Sequence, residues 1–206
     1  MNKSTVQLYD DEVAVFGYGS LLAVTSLEQT LQRPYDGPFV ACSVEGWRRS
    51  WEVTMPNQTF YTETKFGRFY PQSILYLNVQ AQAGILLNGV LFVISVEELK
   101  AMDQREWIYN REVITDQLCG ISVAGGDAYM YVAKPEYIMT NIKSPAIAAI
   151  RATYLQILET GLSQLGQSFR KAYNRSSDPV PQHLVITDIR DERAPNPFGK
   201  KQLERA

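Results

Sequence analysis

The sequence predicts a mixed α+β domain in which a β-rich core carries helices on its outside, and three stretches carry that prediction. Val13-Ala14-Val15-Phe16 is a short apolar run halted by Gly17, which reads as a buried strand entering a loop. Gly89 to Ser95 (GVLFVIS) is a continuous apolar run of strand length. Ser95 and Glu98 then form an S-x-x-E capping box, in which each side chain satisfies an orphan amide of a helix N-terminus. That helix is expected to run to about Trp107.

The other elements follow from the same rules. After Phe16 the loop Gly17-Tyr18-Gly19-Ser20-Leu21-Leu22 leads into a helix, capped by Thr25 or Ser26, that runs to about Gln32 with Glu28 in its first turn. Phe39 to Val53 and Ser73 to Val79 have the β-branched and aromatic content of strands, as do Arg111 to Thr115 and Ala128 to Val132. A second long helix is expected from Ser144-Pro145, because Ile147, Ile150, Tyr154, Ile157 and Leu158 recur at helical spacing. Phe60 to Tyr70 (FYTETKFGRFY) combines aromatics with turn residues. It suits a loop over a pocket and equally a hydrophobic loop packed on the core.

Size and composition exclude several classes. A chain of 206 residues and 23.3 kDa can bury a continuous core without disulfide staples. With 45% hydrophobic and 20% charged residues, 20 Lys+Arg against 22 Asp+Glu and a pI of about 5.5, it resembles neither a disordered chain nor a nucleic-acid binder. Met1 to Asp11 lacks the apolar segment of a signal peptide and no run is long enough to span a bilayer, so a soluble cytoplasmic protein is expected, with no membrane partner. Cys42 and Cys119 lie in no CxxC spacing and read as inert core thiols. His183 is the single histidine, which disfavours a His-based triad or a multi-His metal site. Carboxylates, tyrosines and backbone amides are left to carry the chemistry. Near Arg170 the composition shifts: residues 170–206 hold four of the ten prolines and eight Lys+Arg against five Asp+Glu. The expected organisation is therefore a domain over 1–169 and an extension over 170–206, held by Leu184-Val185-Ile186 and fraying after Pro197.

Two segments could hold a site. The turn Tyr18-Gly19-Ser20-Leu21 follows a strand and precedes a helix, but Leu22 stands where a dinucleotide fingerprint needs its third glycine. Successive amides there can still form a concave donor site for a small carboxylate or an oxyanion, although a tight turn made for backbone reasons alone is the first reading of this motif by itself. In the second segment, Leu99, Met102 and Glu106 fall at i, i+3 and i+7, so Glu106 shares the apolar stripe of its helix. Burial raises a carboxylate's pKa toward the range of a general acid/base. A helix-end Glu paired with Arg105, Arg111 or solvent fits the same spacing.

Taken in order, these segments resemble the gamma-glutamyl cyclotransferase superfamily. The resemblance rests on Val15-Phe16-Gly17-Tyr18-Gly19-Ser20-Leu21-Leu22, on Gly46-Trp47-Arg48-Arg49-Ser50-Trp51, and on Asn88-Gly89-Val90-Leu91-Phe92 before Glu97-Glu98-Leu99. It continues through Asp103-x-x-Glu106-x-x-Tyr109-x-Arg111 and the segment of Pro145 and Tyr154, and so spans about Val13 to Gly161. It implies a small mixed β-barrel flanked by helices and an enzyme without cofactor or metal that releases 5-oxoproline from a gamma-glutamyl substrate. It implies Glu106 as the catalytic acid/base, the backbone of Tyr18, Gly19, Ser20 and Leu21 as the holder of the glutamyl group, and Tyr109 as a hydroxyl neighbour. Leu21-Leu22 where some members carry Asn-Leu, the Phe60 to Tyr70 insertion and the tail after Arg170 depart from the family. They leave the leaving group open among amino acid, peptide, glutathione and amine. A silent carboxylate-binding module of the same fold and an interaction scaffold are the competing readings.

Overall fold

The computed structural model describes residues 4–194. In chain order the elements are β1 (Ser4–Gln7), β2 (Glu12–Gly17), α1 (Val24–Leu31), β3 (Phe39–Pro56), β4 (Phe60–Thr64), β5 (Gly67–Phe69) and β6 (Ser73–Ser95). They continue with α2 (Val96–Arg105), β7 (Tyr109–Val113), β8 (Leu118–Cys119), β9 (Ile121–Ala124), β10 (Ala128–Ala133) and β11 (Ala148–Arg151). Helices α3 (Ala152–Leu165) and α4 (Gln167–Arg175) and the short strands β12 (Val185–Ile186) and β13 (Ile189–Arg190) complete the chain.

The architecture is α+β, a curled mixed sheet forming half a barrel with helices around it. Strand β6 is its spine. It pairs antiparallel with β3 from Phe39↔Phe92 to Pro56↔Ser73, antiparallel with β2 from Glu12↔Ser95 to Gly17↔Val90, and parallel with β11 at Ala148↔Ser73. Paired on both sides, Gly89 to Ile94 are buried, and this is why that stretch is apolar throughout instead of alternating. On the far side of β2, β10 runs parallel to it and β7 returns antiparallel to β10.

The strands expected at Ser73–Val79 and Gly89–Ser95 are one strand. The Gln80-Ala81-Gln82-Ala83-Gly84 stretch between them looks like an interruption, yet the pairing with β3 runs to Ala81 and resumes at Leu86. Opposite Gly46 (φ +86°), residues 82–85 have no partner, and the bulge bends the long hairpin without ending it. Phe60 to Tyr70 is likewise not a loop but the hairpin β4–β5, with Tyr61 stacked under the Arg68 guanidinium at 4.5 Å.

The helix expected from Ser144 starts later. Ala148, Ala149 and Ile150 are fully buried as a strand between β6 and β12, and α3 begins at Ala152. Helical spacing across 147–158 was met by two elements, because a short buried strand is as apolar as a helix face. Helix α1 is capped by Ala23, not by Thr25 or Ser26, and Glu28 lies beyond its first turn, accepting the Tyr35 amide at 3.0 Å. The α2 capping box is present as expected, although α2 ends at Arg105, with Glu106 as its C-cap.

The expected boundary at 169/170 falls inside α4. From there Tyr173, Ser176 and Ser177 are buried against β3, Leu184 joins a core cluster with Leu75 and Ile150, β12 pairs with β11, and β13 pairs with β4. Fraying after Pro197 lies outside the described residues.

Candidate active site

Strand β2 ends at Gly17, and the chain turns so tightly that a Cβ on Gly17 would stand 2.7 Å from Leu21 Cβ. Helix α3 crosses just behind this turn. A Cβ on Gly161 would meet the Leu22 carbonyl carbon at 2.6 Å, so only glycine allows the helix backbone this close. Within the turn, the carbonyls of Gly19 and Ser20 accept from Leu22 and Ala23, while the amides of Gly19, Ser20 and Leu21 find no acceptor among the described residues. Successive N–H groups left without an acceptor in one turn can receive negative charge.

The turn is held by two arginines. Arg49, on β3, is fully buried and has no carboxylate partner among the described residues. Its Nε donates to the Tyr18 carbonyl at 2.8 Å, and Nη1 donates to Asn88 Oδ1 at 3.2 Å and Ser176 Oγ at 2.9 Å. Nη2 donates to the Asn88 carbonyl, and the guanidinium lies 4.2 Å from the Tyr173 ring centroid. Burial lowers its pKa to about 10, which still leaves it charged at neutral pH. The second arginine, Arg105, ends α2. Its Nη2 donates to Ser20 Oγ at 2.8 Å and Ser26 Oγ at 3.0 Å, and its Nη1 to the Ser26 carbonyl at 3.0 Å and Thr30 Oγ1 at 2.6 Å.

The remaining N–H of Arg105, Nε, faces Glu106 Oε1 at 3.1 Å. The Glu106 side chain is 16% exposed, and burial raises its pKa while the Arg105 charge opposes the rise. The two descriptions the sequence left open thus hold together in part: Glu106 ends its helix paired with Arg105, and its side chain is largely withdrawn from solvent. Arg111 takes Asp103 instead, at 3.1 Å, and Tyr131 also donates to Asp103 at 2.7 Å. Glu98 is committed to the capping box and to Arg33.

Tyr18, Gly19, Ser20, Leu21, Glu106 and Tyr109 all line one small cavity of about 40 Å³, together with Leu77, Tyr131 and Tyr154. Through Ser20, Glu106, Tyr109 and Tyr154 it adjoins a larger cavity of about 710 Å³. The hydroxyls are partly committed: Tyr18 donates to the Tyr131 carbonyl at 2.7 Å and Tyr109 to the Leu77 carbonyl at 2.9 Å. Burial raises the pKa of both phenols, so they stay protonated at neutral pH. Tyr154 stands over the turn, with its hydroxyl 3.2 Å from where a Gly19 Cβ would be. Arg49 and Arg105 appear in the sequence only as a motif member and a possible ion-pair partner, and Tyr131 carries no signal at all.

Burial pushes the Cys42 thiol up to about 12, which keeps it a poor nucleophile, and His183 is exposed. Neither lines these cavities. Among the described residues no three His, Cys, Asp or Glu side chains are grouped to hold a metal ion, and no helix is long and apolar enough to cross a membrane.

This arrangement of sheet, turn and helices recurs in solved structures. One is a gamma-glutamyl cyclotransferase, which superposes with a TM-score of 0.55 at 11% identity over 82% of this chain and 90% of that one. The chain has the gamma-glutamyl cyclotransferase fold. An uncharacterized human protein has the same fold, with a TM-score of 0.54 and 14% identity over 84% of this chain and 91% of that one. No protein-family pattern matches the sequence, and no curated protein matches it significantly. In this gamma-glutamyl cyclotransferase fold the turn, Glu106 and the tyrosines share one cavity wall.

Proposed function

We propose that the protein is a gamma-glutamyl cyclotransferase-type enzyme that releases 5-oxoproline from a gamma-glutamyl amide. One observation carries the reading: a largely buried carboxylate, Glu106, lines a small cavity together with Gly19, Ser20 and Leu21, whose amides have no acceptor among the described residues. The amides receive negative charge on the glutamyl group, and Glu106 removes a proton from the α-ammonium. The freed amine attacks the γ-carbonyl carbon and a C–N bond forms within the substrate. As the attacking nitrogen gives up a second proton to become the lactam N–H, the original amide C–N bond breaks and the leaving nitrogen takes up both protons, the first returned by Glu106, so that it departs as an ammonium. No covalent enzyme intermediate forms. Because the nucleophile and carbonyl belong to one molecule, the protein chiefly holds a reactive conformer, and proton transfer adds about 10²- to 10⁴-fold. Raised by burial and restrained by Arg105, the Glu106 pKa suits a group that must both take and return a proton.

The test is a screen of gamma-glutamyl amino acids, peptides and amines for 5-oxoproline. Release above the spontaneous rate that is lost in Glu106→Gln supports the reading. Absence of release from every class refutes it and favours a silent carboxylate binder of the same fold.

A further inference from the structure

Three guanidinium groups withdrawn into the fold have a carboxylate against them. Arg105 has Glu106 at 3.1 Å, Arg48 has Asp178 at 2.8 Å, and Arg151, just before α3, has Asp188 at 3.5 Å. Arg49 is buried more deeply than any of the three and has no such partner among the described residues. The groups around it are neutral: the carbonyls of Tyr18 and Asn88, the Asn88 side-chain amide, the hydroxyls of Ser176 and Ser177, and the Tyr173 ring. Its hydrogen bonds are therefore satisfied while its charge is not. A desolvated charge without a counter-charge is costly, so an anion placed near it is favoured.

One of these acceptors leads to the site. The Tyr18 carbonyl and the Gly19 amide belong to one trans peptide unit, whose C=O and N–H point in opposite directions. With the carbonyl turned to Arg49 Nε at 2.8 Å, the Gly19 N–H is turned away from the guanidinium. Gly19 lines the small cavity and its amide has no acceptor among the described residues, whereas Arg49 lines neither cavity. A cation bonded to a peptide carbonyl polarises the whole unit and makes its N–H a stronger donor.

We propose that Arg49 is a positioning residue that acts through the Tyr18–Gly19 peptide: it orients the Gly19 N–H, strengthens it as a donor, and supplies from behind the turn the positive charge that a bound carboxylate balances. Ligand and guanidinium are then counter-ions across one peptide unit without touching. This rests on the cyclotransferase reading in taking the glutamyl carboxylate as the natural occupant, although any small carboxylate that enters should show the effect.

The test is an NMR titration of the isotopically labelled full chain with acetate and with 5-oxoproline, each against its own carboxamide, which has nearly the same shape and no charge. In the wild type the Gly19 amide and Arg49 Nε–H signals should move together on adding either carboxylate, and each carboxylate should bind about 10-fold or more tightly than its amide. Arg49→Gln should bring that ratio toward one by weakening the carboxylate while sparing the amide. Arg49→Lys keeps the charge and should retain most of the ratio. A residue that merely braces the turn behaves differently, because both variants lose the guanidinium fork and would weaken carboxylate and amide equally. If Arg49→Gln does not fold, the Lys variant and the two wild-type signals decide. Equal binding of carboxylates and amides, a Gly19 amide that no carboxylate moves, or an Arg49 signal that stays fixed while Gly19 moves overturns the proposal. Release of 5-oxoproline judges the cyclotransferase reading separately: Arg49-dependent charge selectivity without release keeps the proposal and refutes that reading, and release without such selectivity does the reverse.

Discussion

The guanidinium of Arg105 lies 3.1 Å from the carboxylate of its own chain neighbour, Glu106, and reaches Ser20 on the glycine turn at 2.8 Å through another nitrogen. One side chain thereby ties Glu106 to the glycine turn. In Arg105→Gln, Glu106 loses the charge that restrains its pKa, so the acidic limb of kcat/KM moves to higher pH and the rate at neutral pH drops by roughly 10-fold or more. Arg105→Lys keeps the charge but not the five-donor fork. Its limb should stay near the wild-type position while the rate falls. A pH–rate profile separates these outcomes from simple destabilisation, which would leave the limb unmoved.

Glu106→Gln should cut turnover by roughly 10²-fold or more, and Glu106→Asp should also be poorly active because the carboxylate is withdrawn by one methylene. Stability should move the other way. Since burial raises the pKa in the folded state, the ionised form is disfavoured there, and the wild type loses stability relative to the Gln variant as pH rises through the folded pKa. At pH 7 the Gln variant should melt no lower than the wild type, with any advantage vanishing as pH falls into the ordinary carboxylate range. Melting curves at several pH values check this on the same preparations as the assay. A melting temperature below wild type, with normal rate per folded molecule, would make Glu106 structural.

The turn tolerates little added volume. Gly19→Val places methyl groups beside the Tyr154 hydroxyl and into the small cavity, so substrate affinity should fall severely with the fold intact. In Gly161→Ala the new methyl meets the Leu22 backbone at 2.6 Å, which should cost about 1–3 kcal/mol and displace the turn. Thermal melts and KM measured on both variants distinguish a filled site from a shifted one.

Arg49 is the buried clamp. Arg49→Met leaves the carbonyls of Tyr18 and Asn88 and the Ser176 hydroxyl short of a donor, for a loss of roughly 3 kcal/mol. For a chain of this size that is a drop in Tm of about 6–12 °C. Truncation after Gly166 removes Tyr173, Ser176 and Ser177 from the same guanidinium and should prevent folding, as read by circular dichroism.

Several features of the protein are legible in the sequence alone. The buried strand at Gly89–Ile94, the Ser95–Glu98 capping box and the strand–turn–helix opening follow from periodicity and local hydrogen-bonding preferences, which need only near neighbours in the chain. Tertiary structure decided the rest. The run from Ala148 to Ile150 is a strand because β6 and β12 flank it, and 73–95 is one strand because β3 pairs with it across a bulge. Likewise, the stretch from Tyr173 to Leu184 packs on the domain because Arg49 and Leu75 lie beneath it. The guanidinium groups of Arg49, Arg105 and Arg151 look on paper like any surface charge. Each has its role from partners 31, 85 or 37 positions away in Tyr18, Ser20 and Asp188, and no local pattern encodes a contact made only when the sheet curls.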